Sequence, residues 1–284
     1  MFEAGECSGE TSVDDGKGNC DGTDPDQRVA SMYREIDYSD SYSLILTNGI
    51  PSHCYQRGHE LANNFVACEQ YRGIFVKKSP KKANSMKSLG LLGISTGGAL
   101  FKKQTTGEDT CNAALMEKPN MDHCDGHADS DNRYHHHKAP ACVEGFDSCG
   151  LVGHMKDGYK IYGYCTITEN GVEKKMNTCY KKYDEKNGCS ALDDTDDTDR
   201  IHYYYDSDAY ESGECALDEA NGYTFQGDAT GGDQSWSEGD YAYFFTQEYP
   251  SIMPGYMGKA SPSNWCIINV ASAKENTKRK RRRR

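Results

Sequence analysis

Leu89-Gly90-Leu91-Leu92-Gly93-Ile94-Ser95-Thr96-Gly97-Gly98-Ala99-Leu100-Phe101 is the stretch whose reading decides the fold class. It is apolar, yet Gly90, Gly93, Gly97 and Gly98 interrupt it, and glycine weakens a helix interior. Two short strands about a turn fit it better than a helix. Working outward, Tyr159 to Ile167 alternates roughly in period two, the mark of a half-buried strand, and Asn170-Gly171 then turns the chain back. Ser43-Leu44-Ile45-Leu46-Thr47 gives another strand, with Asn48-Gly49 as its turn. Tyr241 to Thr246 and Cys266 to Val270 complete the strand candidates, while His59 to Cys68 fits a short helix or a strand equally. No repeat of solenoid period is visible. The expected fold is mainly β: a single compact antiparallel sandwich or barrel-like domain with long loops and disulfides. Residues 28–270 form that domain, residues 1–27 a polar Gly/Asp-rich arm, and residues 271–284 a disordered basic tail.

The chain has 284 residues with 29 Gly, 20 Tyr and 13 Cys, and a formal charge of −12. Lys278 to Arg284 are all basic, so 44 acidic residues in the body face only 25 basic ones, about −19. Such a body repels nucleic acid, whose binding begins with phosphate neutralisation, and attracts cations. The basic tail is expected to bind polyanions or to be processed. Thirteen cysteines from Cys7 to Cys266 point to disulfides and an oxidising, extracellular setting. The odd number leaves at least one thiol over, and spacing does not give the pairing. No apolar run is long enough to span a membrane. Met1 to Glu6 is acidic and has no apolar signal core, so the expectation is a truncated or processed chain.

Tyr134-His135-His136-His137 holds three of the nine histidines. In a strand, alternate side chains share a face, so His135 and His137 project together while Tyr134 and His136 point the other way. Two same-face imidazoles can chelate one metal ion with one or two further ligands. His127 and His53 are the first choices for those, with Asp157 as an oxygen ligand or a hydrogen-bond partner behind the ligands. The competing reading is a histidine-rich loop or ring packing in a tyrosine-rich core. His123 and His127 enclose Cys124, Asp125 and Gly126, which favour a turn over a helix. Cys124 is expected in a disulfide with Cys142 or Cys149 rather than on zinc. His154 beside Met155 suits reduced copper or simple packing; His59 and His202 are ordinary histidines.

Other motifs carry less. Asp193 to Asp199, like Asp14 to Asp26, lacks the Gly and Glu positions of an EF-type calcium loop. Gly93-Ile94-Ser95-Thr96-Gly97 matches the nucleophile elbow, but another apolar strand follows it where a helix is required. The phosphate-cradling glycine motifs are missing from the sequence.

Taken together these segments resemble the YHYH domain family, over about residues 43 to 258. Asn48 to His53 is similar to its Asn-Gly-Ile/Val-Pro-x-His element, and Gly90 to Phe101 to its glycine-punctuated strands. Asp122-x-Cys124-x-Gly126-His127 with Tyr134 to His137 resembles the naming segment, with His136 where Tyr is expected. Leu151 to Gly163 resembles its Asp-Gly-Phe-Pro-Ile-Tyr-Gly stretch. Leu217 to Gly222, Tyr241 to Thr246 and Tyr249-Pro250 resemble its C-terminal block. Ala242 and Phe244 stand where a second Tyr-His-Tyr-His places histidines, Ala220 replaces a cysteine, and Ser148 stands where a histidine often does.

The resemblance implies an exported, mostly β domain with a metal site, its ligands drawn from His53, His127, His135 and His137. Imidazoles, a nearby thioether and an oxidising setting favour copper over zinc. Three functions follow as expectations: a secreted or cell-surface metal-binding protein, a copper-oxidative or zinc-hydrolytic enzyme using the same histidines, and a metal-free matrix protein.

Overall fold

The computed structural model describes residues 31–53, 72–87, 90–104, 121–122, 124–129, 133–182 and 203–259, and the backbone of 265–267. The N-terminal arm, the basic tail, both acidic runs and His59, His123 and His202 lie outside them.

The chain is built from short strands. First come β1 (Tyr33–Ser39), β2 (Tyr42–Thr47), β3 (Arg72–Lys77) and β4 (Lys82–Lys87). Next are β5 (Leu91–Ser95), β6 (Leu100–Lys102), β7 (Gly126–Ala128) and β8 (Tyr134–His136). β9 (Leu151–Met155), β10 (Lys160–Tyr162), β11 (Thr166–Glu169), β12 (Val172–Lys175), β13 (Tyr180–Lys182) and β14 (Tyr203–Tyr205) lead to helix α1 (Ser207–Ser212). β15 (Gly222–Thr224), β16 (Ala229–Gly231), β17 (Gln234–Trp236), β18 (Tyr241–Phe244), β19 (Tyr256–Gly258) and β20 (Trp265–Ile267) complete the series.

An eight-stranded sheet in the order β15-β18-β10-β9-β5-β6-β8-β7 is the platform. Two four-stranded sheets, β1-β2-β3-β20 and β12-β11-β16-β17, accompany it. Alternation sets the layers. Tyr241 and Tyr243 of β18 enter a core with Leu92, Phe101, Val152 and Ile161. Ala242 and Phe244 enter a second core with Ile167, Ala229 and Trp236, which the β12-β11-β16-β17 sheet supplies. Ile45, Ile74 and Val76 of β2 and β3 pack on Ile94 and Leu100.

The molecule is thus mainly β and sandwich-like, as expected, and among the described residues its sheets do not close into a barrel. It departs from the purely antiparallel expectation: β6 pairs β8, and β10 pairs β18, in parallel. Three disulfides staple the described residues, Cys124–Cys142, Cys149–Cys165 and Cys179–Cys215. The first is one of the two pairings expected for Cys124.

Of the stretch Leu89 to Phe101, the described residues from Gly90 on fold as expected, into β5 and β6 about a turn where Gly98 takes φ +87°. Ser95 is buried there, its Oγ accepting from Gly97 N at 2.9 Å, and a strand follows. That is a hairpin, without the exposed serine or following helix of a nucleophile elbow. The single strand expected over Tyr159 to Ile167 is instead β10 and β11, in different sheets. The break is at Gly163, where a Cβ would lie 1.9 Å from Phe146 O. Asn170 and Gly171, at φ 51° and 79°, make the two-residue turn of the β11–β12 hairpin.

Candidate metal centre

The site begins with a turn. Asp122 Oδ1 accepts from Cys124 N at 2.9 Å and Gly126 N at 3.2 Å, and the disulfide to Cys142 anchors the same loop. The turn launches β7, which pairs antiparallel with β8 and sets His127 directly opposite His135. Directly opposed residues share a face, and so does the residue two further on. His127, His135 and His137 therefore converge, each with a ring nitrogen within 4.8 Å of the others'. His135 and His137 are buried; His127 is half-buried.

Backbone carbonyls orient two of these rings. His135 Nδ1 lies 2.9 Å from Arg133 O, and His137 Nδ1 lies 2.6 Å from Lys103 O. A carbonyl only accepts, so each Nδ1 carries the proton and each Nε2 presents its lone pair. Those two Nε2 atoms stand 3.0 Å apart. A hydrogen bond between them requires one ring to take a second proton. For His135, burial opposes this, with the positive charge of Lys102 and the neighbouring His127 and His137 adding to it, and holds its pKa well below the ordinary value. A cation held between the two Nε2 atoms would satisfy both lone pairs without a second proton on His135. Two ligands about 2.0–2.1 Å from one ion stand about 2.9 Å apart at a right angle and about 3.3 Å apart at the tetrahedral angle.

Beside the trio, Asp129 accepts from Lys102 Nζ at 2.6 Å and from Arg133 Nε at 2.9 Å. Sequence reasoning passed over these residues, and over the carbonyls of Lys103 and Arg133. No residue type marks a carbonyl as an orienting group, since every residue has one.

His53 lies on the other face of β8. Tyr134 Oη donates to Asp122 Oδ2 at 2.6 Å, so it accepts from His53 Nε2 at 3.0 Å. The His53 ring is centred 5.7 Å from that of His136. His136 is wholly buried, its Nδ1 3.2 Å from Asp125 O, and burial pushes its pKa down to about 3. His53, Asp122 and Cys124 also come within ligand reach of one another, but the Cys124 sulfur is committed to its disulfide.

The remaining candidates stand elsewhere. His154 Nδ1 meets Tyr33 Oη at 2.8 Å, and Met155 packs in the core. Asp157 accepts from Tyr243 Oη at 2.5 Å, Gly258 N at 2.7 Å and Tyr159 N at 3.2 Å. Burial raises its pKa to about 6 against the pull of those bonds.

A family model described as YHYH protein matches residues 75–258, most of the chain, and contains the trio, Asp157 and Tyr243. The chain belongs to the YHYH family. No curated protein and no solved structure matches it.

Proposed function

We propose that this YHYH-family chain is an exported protein that holds one transition metal ion, copper in preference to zinc, through His127, His135 and His137. The observation that carries the reading is the pair of Nε2 atoms 3.0 Å apart, with both Nδ1 atoms committed to carbonyls. All three donors are imidazoles, a set that suits copper, nickel and zinc, and copper binds such sites most tightly. The preference no longer draws on the Met155 thioether, which packs in the core. Three disulfides support an oxidising, extracellular setting. His53 serves in this reading as the hydrogen-bond partner of Tyr134.

The test is metal content. Protein purified without a histidine tag, equilibrated with buffered copper or zinc and dialysed, should carry about one equivalent by mass spectrometry. His135→Ala/His137→Ala should carry none, and His154→Leu should match the parent. A parent without metal, or a double variant that retains it, removes the proposal and favours the metal-free structural role.

A second reading, metal-dependent catalysis, has one specific support. Three protein ligands leave a fourth position, the arrangement in which catalytic zinc holds water, and His127 is half-buried rather than sealed. Azide or cyanide should then perturb the spectrum of the copper-loaded protein; an unresponsive centre points to holding the ion alone.

A further inference from the structure

The eight-stranded sheet reads the same from either edge. From its middle outward, β5, β6, β8 and β7 are matched by β9, β10, β18 and β15. In each half the pairings run antiparallel, parallel, antiparallel. The halves meet at β5 and β9, where Ile94 opposes His154, Gly93 opposes Met155 and Ser95 opposes Gly153. A pseudo-two-fold axis normal to the sheet therefore passes between Ile94 and His154. The sequence follows the same symmetry sixty residues apart, with Gly90-Leu91-Leu92-Gly93 against Gly150-Leu151-Val152-Gly153. So do the hydrogen bonds: Thr96 N to Val152 O at 2.7 Å mirrors Lys156 N to Leu92 O at 2.8 Å.

The outer strands repeat as well. Asp218 Oδ1 accepts from Gly222 N at 2.9 Å, as Asp122 does from Gly126, and the residue before each glycine has φ near +55° (58° and 54°). Tyr241 Oη reaches back to Asp218 Oδ2 at 3.0 Å, as Tyr134 reaches Asp122. A Cβ on Gly126 or Gly222 would lie 2.3 or 1.8 Å from that hydroxyl. Strand register then makes each assignment unique. Tyr223 opposes Ala242 as His127 opposes His135, and Tyr243 pairs Ile161 as His136 pairs Phe101. His127, His135 and His137 thus correspond to Tyr223, Ala242 and Phe244.

The orienting carbonyls have counterparts too. Arg133 O accepts from Asp129 N at 3.1 Å, and Asp240 O from Phe225 N at 3.0 Å; Lys103 N bonds Gly90 O at 3.0 Å, and Gly163 N bonds Gly150 O at 3.1 Å. What differs is the filling. Phe244 and Ala242 pack with Phe225 and Trp236 in the core under the β12-β11-β16-β17 sheet. In the N-terminal half, the charged Lys102, Asp129 and Arg133 stand where the C-terminal half has the core residues Tyr162 and Phe225 and the exposed Asp240.

We propose that the C-terminal half is a second, plugged copy of the metal-centre frame, able to take the same class of transition metal ion when residues 223, 242 and 244 are histidine. The choice of ligand rests on the function proposed above; the equivalence of the two frames does not.

The test is a graft in the full chain, Tyr223→His/Ala242→His/Phe244→His, made in the parent and in His127→Ala/His135→Ala/His137→Ala. Bound copper should read about one equivalent in the parent, none in the knockout, two in the graft, and one in the graft on the knockout. The copper(II) spectrum of the grafted knockout should resemble that of the parent. A parent without copper overturns the function but not the frame, provided the grafted knockout still binds one equivalent. A folded grafted knockout that binds no copper overturns the inference. Because Phe244 sits in an aromatic core, the lighter Tyr223→His/Ala242→His pair is run beside it and should bind one weaker equivalent in the knockout. If neither graft folds, the inference is likewise overturned.

Discussion

Burial sets the acid response of individual side chains here. His154 is 2 % exposed, and desolvation, with the charge of Lys160 adding, pushes its pKa down to about 4. Unfolded, it takes its proton near 6.5. Its neutral form thus contributes stability above about pH 6.5, and that contribution is lost as pH falls toward 4, about 3 kcal/mol in all. Asp157 has the opposite sign: raised to about 6, its contribution is present at low pH and lost as pH rises through that value. Urea titrations of the parent and His154→Leu from pH 7.5 to pH 4 should show the difference in unfolding free energy, parent minus variant, falling by about 3 kcal/mol. A pH-independent difference would contradict the burial argument. At this scale the sequence was partly legible. Strand alternation was enough to put His135 and His137 on one face, because that period is a property of the backbone. It could not place His53, whose position depends on how a distant segment docks against Tyr134.

Among the elements, the Asp122 turn and the β7–β8 hairpin carry the site, and the Cys124–Cys142 bridge ties them to the following loop across 18 residues. Closing a loop of that length stabilises by about 3 kcal/mol in the chain-entropy account. Cys124→Ser/Cys142→Ser should therefore lower the unfolding free energy by about 3 kcal/mol and weaken metal retention, since His127 follows directly from the turn. Stability near the parent's together with unchanged metal affinity would show that the hydrogen bonds of Asp122 hold the turn alone. The glycine-broken hairpin of β5 and β6 was readable because turn chemistry is local. The split of β10 from β11 was not, because the contact that ends β10 is Gly163 against Phe146 O, seventeen residues away in sequence. The parallel pairings were hidden for the same reason: they join β6 to β8 and β10 to β18, strands that sequence adjacency does not connect.

For the molecule as a whole, composition announced a disulfide-stapled β protein and its motifs the family; of the doubled sheet, only the second Tyr-His-Tyr-His position at Tyr241 to Phe244 was in view, and not the symmetry that relates it to the first. The two halves keep their glycines, turn aspartates and tyrosines but differ in loop length and in what fills the space above the sheet. The strand backbones approach closely at the seam between them. A Cβ on Gly93 would lie 2.2 Å from His154 O, and one on Gly153 would lie 2.5 Å from Ile94 O. Overpacking against backbone is relieved only by moving strands, so Gly93→Ala or Gly153→Ala should each cost at least about 2 kcal/mol, measured by denaturant unfolding. Losses below about 0.5 kcal/mol would mean that the seam yields. Those two glycines also have a use as a fingerprint. The C-terminal half shows that this frame stands without a single imidazole on its paired β15 and β18 strands. Two glycine-bearing hairpins sixty residues apart, each followed along the chain by a turn aspartate and a tyrosine that reaches back to it, mark the architecture whether or not a metal was ever held there.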